Sequence, residues 1–237
     1  MIRIGILDLS EHSDEKIISL AERLGDMLDI EKKNNPKANA QSIFARLLLT
    51  KVYGNIVKKP LPRIIKSEKG KPYFLFKDKK DDLFFSISHD GSMVAAAISD
   101  AGEVGIDLQS IGENMRSRER IERTLSSLLC GVDPPGACEV SDDTELKIYR
   151  LSADTESIYL DCVSADRIIN PSGVLTERDA DFLRSWTRLE SLLKLSGGGF
   201  ADTSEILKTS RKARSQSIFL KSNDGRAYSL TISDYLK

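Results

Sequence analysis

Cysteine and histidine are scarce in this 237-residue chain: three of the former, two of the latter. Cys130, Cys138 and Cys162 are odd in number, lack metal-type spacing and are not joined by His12 or His89, which argues against a zinc site or a disulfide framework. A reduced, cytoplasmic protein fits this usage. Long apolar runs are missing too. The opening MIRIGILDLSEHSDE reaches Asp8 and Glu11 after a few residues, too soon for a signal segment or a membrane span, and reads as a first strand. Charge imbalance is also absent: charged residues make up 30% of the chain yet sum to −1, so bulk charge predicts neither a nucleic-acid nor a membrane partner. At 40% hydrophobic the chain lacks the signature of disorder. What remains is a globular protein, long enough for one domain or for two small ones sharing an interface.

Two segments resemble each other. Phe85 to Asp100 (FSISHDGSMVAAAISD) aligns without gaps on Phe219 to Asp234 (FLKSNDGRAYSLTISD), with seven of sixteen positions identical. Each reads as strand, Asp-Gly turn, strand, because Asp-Gly between apolar runs is a strong hairpin signal. A helical pattern precedes each copy, Gln41 to Tyr53 in the first case and Ala180 to Leu195 in the second. Two similar α+β halves follow from this, residues 1–109 and 110–237; two unrelated hairpins of like composition are the alternative. Between the halves, Arg116 to Leu129 reads as a basic amphipathic helix, GVDPPGACEVSDD as a loop, and ELKIYRLSADTESIYLDCV as a small hairpin, so that 130–175 looks like an elaboration of the second half.

Several groups are suited to chemistry. In VGIDLQ, strand alternation puts Ile106 and Leu108 on one face and the oxygen-bearing Asp107 and Gln109 on the other. On the second helix Glu190 falls in line with Leu183, Trp186 and Leu193 and interrupts an apolar stripe, a costly place for a carboxylate unless it is paired or bound to a cation. Lys194 lies one turn on, where it could form an i,i+4 pair with Glu190. Gly197-Gly198-Gly199 suits a helix C-cap or a close backbone approach to a ligand. Ser88 and His89, read at the hairpin turn, and Lys69-Gly70-Lys71-Pro72-Tyr73 offer hydroxyl, imidazole and ammonium groups to a phosphate. Lys32 and Lys33 read as a solvated face.

In their order, F-S-I-S-H-D-G, V-G-I-D and W-T-x-x-E-S-x-x-K-x-x-G-x-G-F, with Gly-Lys-Pro ahead of the first, these blocks resemble the 4′-phosphopantetheinyl transferases, in particular the larger single-chain type that activates peptide and polyketide synthetases. That resemblance implies two similar α+β halves about a pseudo-twofold axis, with coenzyme A in the cleft between them. It implies transfer of the phosphopantetheine arm to a serine of an acyl, peptidyl or polyketide carrier protein. Asp107, Gln109 and Glu190 would hold Mg²⁺, with Mn²⁺ as a substitute; Glu190 and Lys194 would be catalytic. Ser42, Lys71, Pro72, Ser88, His89 and Lys194 would bind coenzyme A, with Ser42 at a helix start that favours anions. Arg116, Arg120 and Arg123 would face an acidic carrier protein. A monomer is expected, because the repeat supplies both sides of a cleft. The chain departs from the family in two places: Gln109 stands where a second acidic residue is common, and Leu189 where a lysine usually precedes the glutamate. These departures motivate an alternative, a weakened relative that binds coenzyme A or a carrier protein without efficient transfer.

Overall fold

The computed structural model describes residues 1–25, 33–111, 142–153, 157–163, 168–198 and 203–236. The Arg116, Arg120 and Arg123 positions, the basic helix around them, Cys130 and Cys138 lie outside the described residues.

The fold is mixed α+β. Its first sheet is built around β1 (Ile2–Asp8), which pairs antiparallel with β6 (Met93–Ser99) and parallel with β8 (Thr144–Ala153). With β5 (Phe84–Asp90) and β9 (Ile158–Val163) at its edges, the strand order is β5-β6-β1-β8-β9. The second sheet runs β10-β11-β12-β7, from β10 (Ile168–Ile169), β11 (Ala213–Lys221), β12 (Ala227–Tyr235) and β7 (Val104–Ser110). A small meander, β2 (Arg63–Lys66), β3 (Pro72–Phe76) and β4 (Lys79–Lys80), forms a third sheet. Among the described residues the helices are α1 (Asp14–Gly25), α2 (Pro36–Val57), α3 (Glu177–Ser196) and α4 (Thr203–Ser210).

Alternation in the strands sorts the core into layers. Ile2, Ile4 and Ile6 of β1 and Met93, Ala95 and Ala97 of β6 meet Val104, Ile106, Leu108, Leu230 and Ile232 of the second sheet, so the two sheets stack face to face. The opposite face of the first sheet, with Leu7, Val94, Ala96 and Ile98, packs on Phe44, Leu48 and Leu49 of α2. Helix α3 covers the outer face of the second sheet, where Leu183 and Leu189 meet Phe219. Strands β1 and β6 are covered on both faces, and their continuous burial follows from that.

Helix ends match local chemistry. Asn35 caps α2 by accepting from the Ala38 N–H, Pro36 fills its first position, and Lys58 closes it in the left-handed region. Thr176 caps α3, Glu177 and Asp179 sit in its first turn, and Gly197 ends it at φ +70° with its N–H donating to the Leu193 carbonyl. Gly197 thus fills the C-cap role expected of the glycine run.

Both expected hairpins form. The sequence similarity between them is not a residue-by-residue equivalence, however. The first pairs Asp90 with Met93 across a two-residue loop with Gly91 at φ +54°, whereas the second pairs Lys221 with Ala227 across a longer loop. The gapless alignment matches Val94, Ala96 and Ile98, which face α2, to Tyr228, Leu230 and Ile232, which face the other sheet. An odd-numbered change in pairing register inverts every face of the second strand. The segment read as a small hairpin is β8 and β9, and it extends the first sheet beyond β1. The expected boundary at Gln109 falls inside β7, which is built into the second sheet beside β12.

Candidate functional site

Strand β7 is an edge strand, and its outward backbone donors are occupied in an unusual way. Ser86, Ser88 and Asp90, alternate residues on one face of β5, accept from the N–H groups of Ile106 (3.1 Å), Leu108 (3.2 Å) and Ser110 (2.7 Å). Three side chains stand in for a missing strand, which seals the edge and ties the two sheets together beside the site. Ser110 adds a hydroxyl bond of 2.6 Å to the same Asp90 carboxylate.

On the other side of β7, Gly105 permits close contact with α3. A Cβ there would lie 2.0 Å from the Ser191 carbonyl oxygen and 2.7 Å from the Leu195 nitrogen, so no other residue fits. Two residues along, Asp107 shares that face, as strand alternation predicts, while Ile106 and Leu108 enter the core. Helix α3 brings Lys194 to it. The Lys194 ammonium donates to Asp107 Oδ1 (2.7 Å) and to Ser88 Oγ (2.9 Å), and the Ser88 hydroxyl donates to the same Oδ1 (2.8 Å). Lys194 therefore pairs with Asp107 and not with Glu190, its neighbour one turn away. Asp107 Oδ2 is buried and has no hydrogen-bond partner.

Glu190 faces the same space. Burial and the nearby Asp107 carboxylate push its carboxyl up to about 7, with Lys194 pulling the other way. Burial likewise pushes Asp107 up against the opposing pull of Lys194 and Ser88. Two adjoining cavities open here and share Ile87, Glu190 and Lys194. One, about 420 Å³, is bordered by Ser42, His89, Asp107, Gln109 and Trp186; the other, about 330 Å³, by Lys69, Lys71, Pro72, Phe85 and Gly197. Volumes of this size suit a small-molecule ligand.

The expected site residues thus gather around one opening, although several differ in detail. Ser88 and His89 lie within β5, not at its turn, and the Ser88 hydroxyl is committed to Asp107 and the Leu108 N–H. His89 is held below its usual range by burial and by Lys33 and Lys194. Ser42 is well inside α2, which starts at Pro36, and its hydroxyl donates back to the Ala38 carbonyl, so it has no helix-start N–H to offer with it. The Lys71 ammonium is held by Glu103 (2.7 Å) and the Leu195 carbonyl (2.7 Å), where it caps the end of α3; burial pushes its pKa down. Gln109 donates to the Ser110 carbonyl (3.1 Å), leaving its amide oxygen uncommitted. Leu189 is fully buried under α3 with Phe182, Ile206 and Phe219, so its identity answers to packing. Lys33, read as solvated, borders the larger cavity, and Lys37 pairs with Asp14 (2.9 Å). Gly105 and Ser86 were not singled out from sequence, and Asp90 was read only as part of the hairpin turn. The glycine ahead of the aspartate and the alternation of Ser86, Ser88 and Asp90 were the available signals.

The donor set fits a hard divalent ion. Asp107 has an unused buried oxygen, Glu190 has a carboxylate that burial leaves undercompensated, and Gln109 has a free amide oxygen beside them. Among the described residues no group of three or more His, Cys, Asp or Glu is placed to hold a metal. Mg²⁺ does not require one, since it takes one or two carboxylates and completes its shell with water and substrate phosphate oxygens.

No family model matches the chain. Over 52 residues it is 46% identical to the 4′-phosphopantetheinyl transferase AcpT of Escherichia coli strain K12, covering 22% of this chain and 25% of that protein. Over 60 residues it is 42% identical to the 4′-phosphopantetheinyl transferase AcpT of Salmonella typhi, covering 24% of this chain and 30% of that protein. The matches span less than a third of these relatives' length. They support kinship with the phosphopantetheinyl transferase superfamily. No helix among the described residues is long and apolar enough to cross a membrane.

Proposed function

We propose that the chain is a 4′-phosphopantetheinyl transferase of the larger single-chain type, which moves the phosphopantetheine arm of coenzyme A onto a serine of an apo carrier protein. The observation that carries this reading is the convergence of Asp107, Glu190 and Lys194 on one opening, two acidic groups and a cation brought together from the two motifs by the β7 and α3 contact. The partial similarity to AcpT points the same way. A duplicated architecture is part of the proposal. It draws on the matching strand orders β5-β6-β1 and β11-β12-β7, each hairpin preceded by a long helix.

Phosphoryl transfer calls for positioning and charge neutralisation more than for covalent help. Asp107, Glu190 and Gln109 would hold Mg²⁺, which when bound supplies positive charge to the pyrophosphate oxygens. Glu190, which lines the same opening as Asp107 and Lys194, would accept the serine proton. The serine oxygen then forms a bond to the phosphorus of the pantetheine phosphate, and the P–O bond to the nucleotide phosphate breaks. Its electron pair leaves with 3′,5′-adenosine bisphosphate, beside which Lys194 offers charge stabilisation. His89 and Lys33 add positive or hydrogen-bonding groups at the rim of the larger cavity. Arg116, Arg120 and Arg123 would supply positive charge toward an acidic carrier protein in this proposal.

The test is to incubate the full chain with coenzyme A, Mg²⁺ and apo acyl, peptidyl and polyketide carrier proteins, and to weigh the carriers by mass spectrometry. A gain of about 340 Da on at least one carrier is expected, absent with Asp107→Asn. No gain on any carrier, with coenzyme A still bound in calorimetry, overturns the transfer reaction and leaves a binding protein. Gln109, which brings no charge to the metal face, is the residue that favours that second reading.

A further inference from the structure

We infer that Lys194 is an exchangeable cation: it neutralises Asp107 while the metal position is empty, and it leaves for a substrate phosphate when a divalent ion arrives. The inference rests on the function proposed above and concerns the order in which charges enter the site.

Asp107 is among the most buried charged side chains of the described residues, 8% exposed, and needs a cation nearby. Lys194 meets that need at 2.7 Å and also takes the Ser88 hydroxyl, so Oδ1 is saturated while Oδ2 is unused. A divalent ion taken up by the unused Oδ2 repels the ammonium held on Oδ1 of the same carboxylate and weakens its hold on Asp107. The ammonium has somewhere to go. Its side chain is 30% exposed, borders both cavities and ends a flexible four-carbon stem in the last turn of α3, so it can swing without backbone movement. The same place is suited to phosphate, which would receive the released charge. Metal and substrate then favour each other: an ion that displaces Lys194 frees a cation for the phosphate, and a phosphate that draws Lys194 away frees Asp107 for the ion.

The experiment measures Mn²⁺ affinity by electron paramagnetic resonance on full-length protein without coenzyme A, for the wild type, Lys194→Met and Lys33→Met. Lys194→Met should bind Mn²⁺ on the order of tenfold more tightly than the wild type. Lys33→Met, which removes a charge from the same cavity without touching Asp107, should stay within about threefold. Equal tightening by both variants, or none by Lys194→Met, overturns the inference while leaving the proposed function standing. A wild type that binds neither Mn²⁺ nor coenzyme A overturns both. Acetylation footprinting of the wild type keeps the test independent of how Lys194→Met folds. Lys194 should be protected in metal-free protein, more reactive with Mn²⁺, and protected again when coenzyme A is added. A reactivity that Mn²⁺ leaves unchanged sinks the exchange.

Discussion

Glu190 should make the metal-free protein less stable as pH rises, and a neutral substitute should remove that loss. Its carboxyl stands at about 7 in the folded chain against 4.5 for the free group, because burial and Asp107 disfavour the charge. Between those values the folded state keeps a proton that the unfolded state has released. The contribution is therefore fully present below 4.5 and is lost as pH climbs through about 7. At about 1.4 kcal/mol per pH unit the ceiling is about 3 kcal/mol. Glu190 is only half-buried, and solvent screening cuts the expected loss to about 1–2 kcal/mol. Glu190→Gln keeps the shape and has no charge to gain. Urea unfolding in chelator, followed by fluorescence of Trp186 on α3, gives the stability of each protein. The two should agree at about pH 4, and the variant should be more stable by about 1–2 kcal/mol at about pH 8. Groups common to both proteins largely cancel in the difference. Parallel profiles across this range would refute the electrostatic account of Glu190.

Gln109→Glu places a second carboxylate on the face of β7 that carries Asp107, and Mn²⁺ affinity should rise about tenfold; an unchanged titration would remove Gln109 from the metal face. Gly105→Ala drives a methyl group into the Ser191 carbonyl at 2.0 Å and should cost about 3 kcal/mol or more, read as a fall in melting temperature. Thr187→Val leaves the Thr231 and Ser229 hydroxyls short of a buried partner; a loss of about 1–3 kcal/mol in urea unfolding is expected, and a neutral result would show that they find other partners.

The local parts of this fold were open to sequence reasoning because they depend on neighbours in the chain. Alternation in VGIDLQ sent Ile106 and Leu108 to the core and Asp107 toward α3, and helical spacing marked α3 to within a turn of its ends and the central part of α2, which extends more than a turn further at each end. Strand partners were harder, since pairing is a choice between distant segments. That β7 joins β12 and that β8 lies parallel to β1 follow from which faces the completed sheets must cover. Similarity between the hairpins misled in one respect. Identical letters at a constant offset imply equal facing only if both turns have the same pairing register, and here the second loop changes it. Motif order pointed to residues that line one opening, but not to their bonds: Ser88 and Lys71 read as free phosphate donors because the sequence does not reveal that Asp107 and Glu103 already hold Ser88 and Lys71, respectively.

How α3 is attached to its sheet explains why the backbone at Glu190 and Lys194 can be held in place. Apolar packing at Leu183, Leu189 and Leu193 supplies area, but such a surface tolerates small slides and rotations. The face of α3 toward β12 carries hydroxyls instead. Thr187 bonds Thr231 (2.6 Å) and Ser229 (3.1 Å), and Ser191 bonds Ser233 (2.7 Å), which is bonded in turn to Ser215 (2.7 Å). These bonds are short, buried and directional, so they fix both the rotation of α3 and its height along the sheet. Thr187 and Ser191 each lie three residues before a site residue, Glu190 and Lys194 respectively. A helix turned to satisfy the first pair therefore presents the second pair on an adjacent face. The contact at Gly105 sets its distance from β7. The serines and threonine of Y-S-L-T-I-S in β12 are thus the counterpart of the W-T-x-x-E-S-x-x-K helix, and their polarity, odd for a buried strand face, is what gives the site its register.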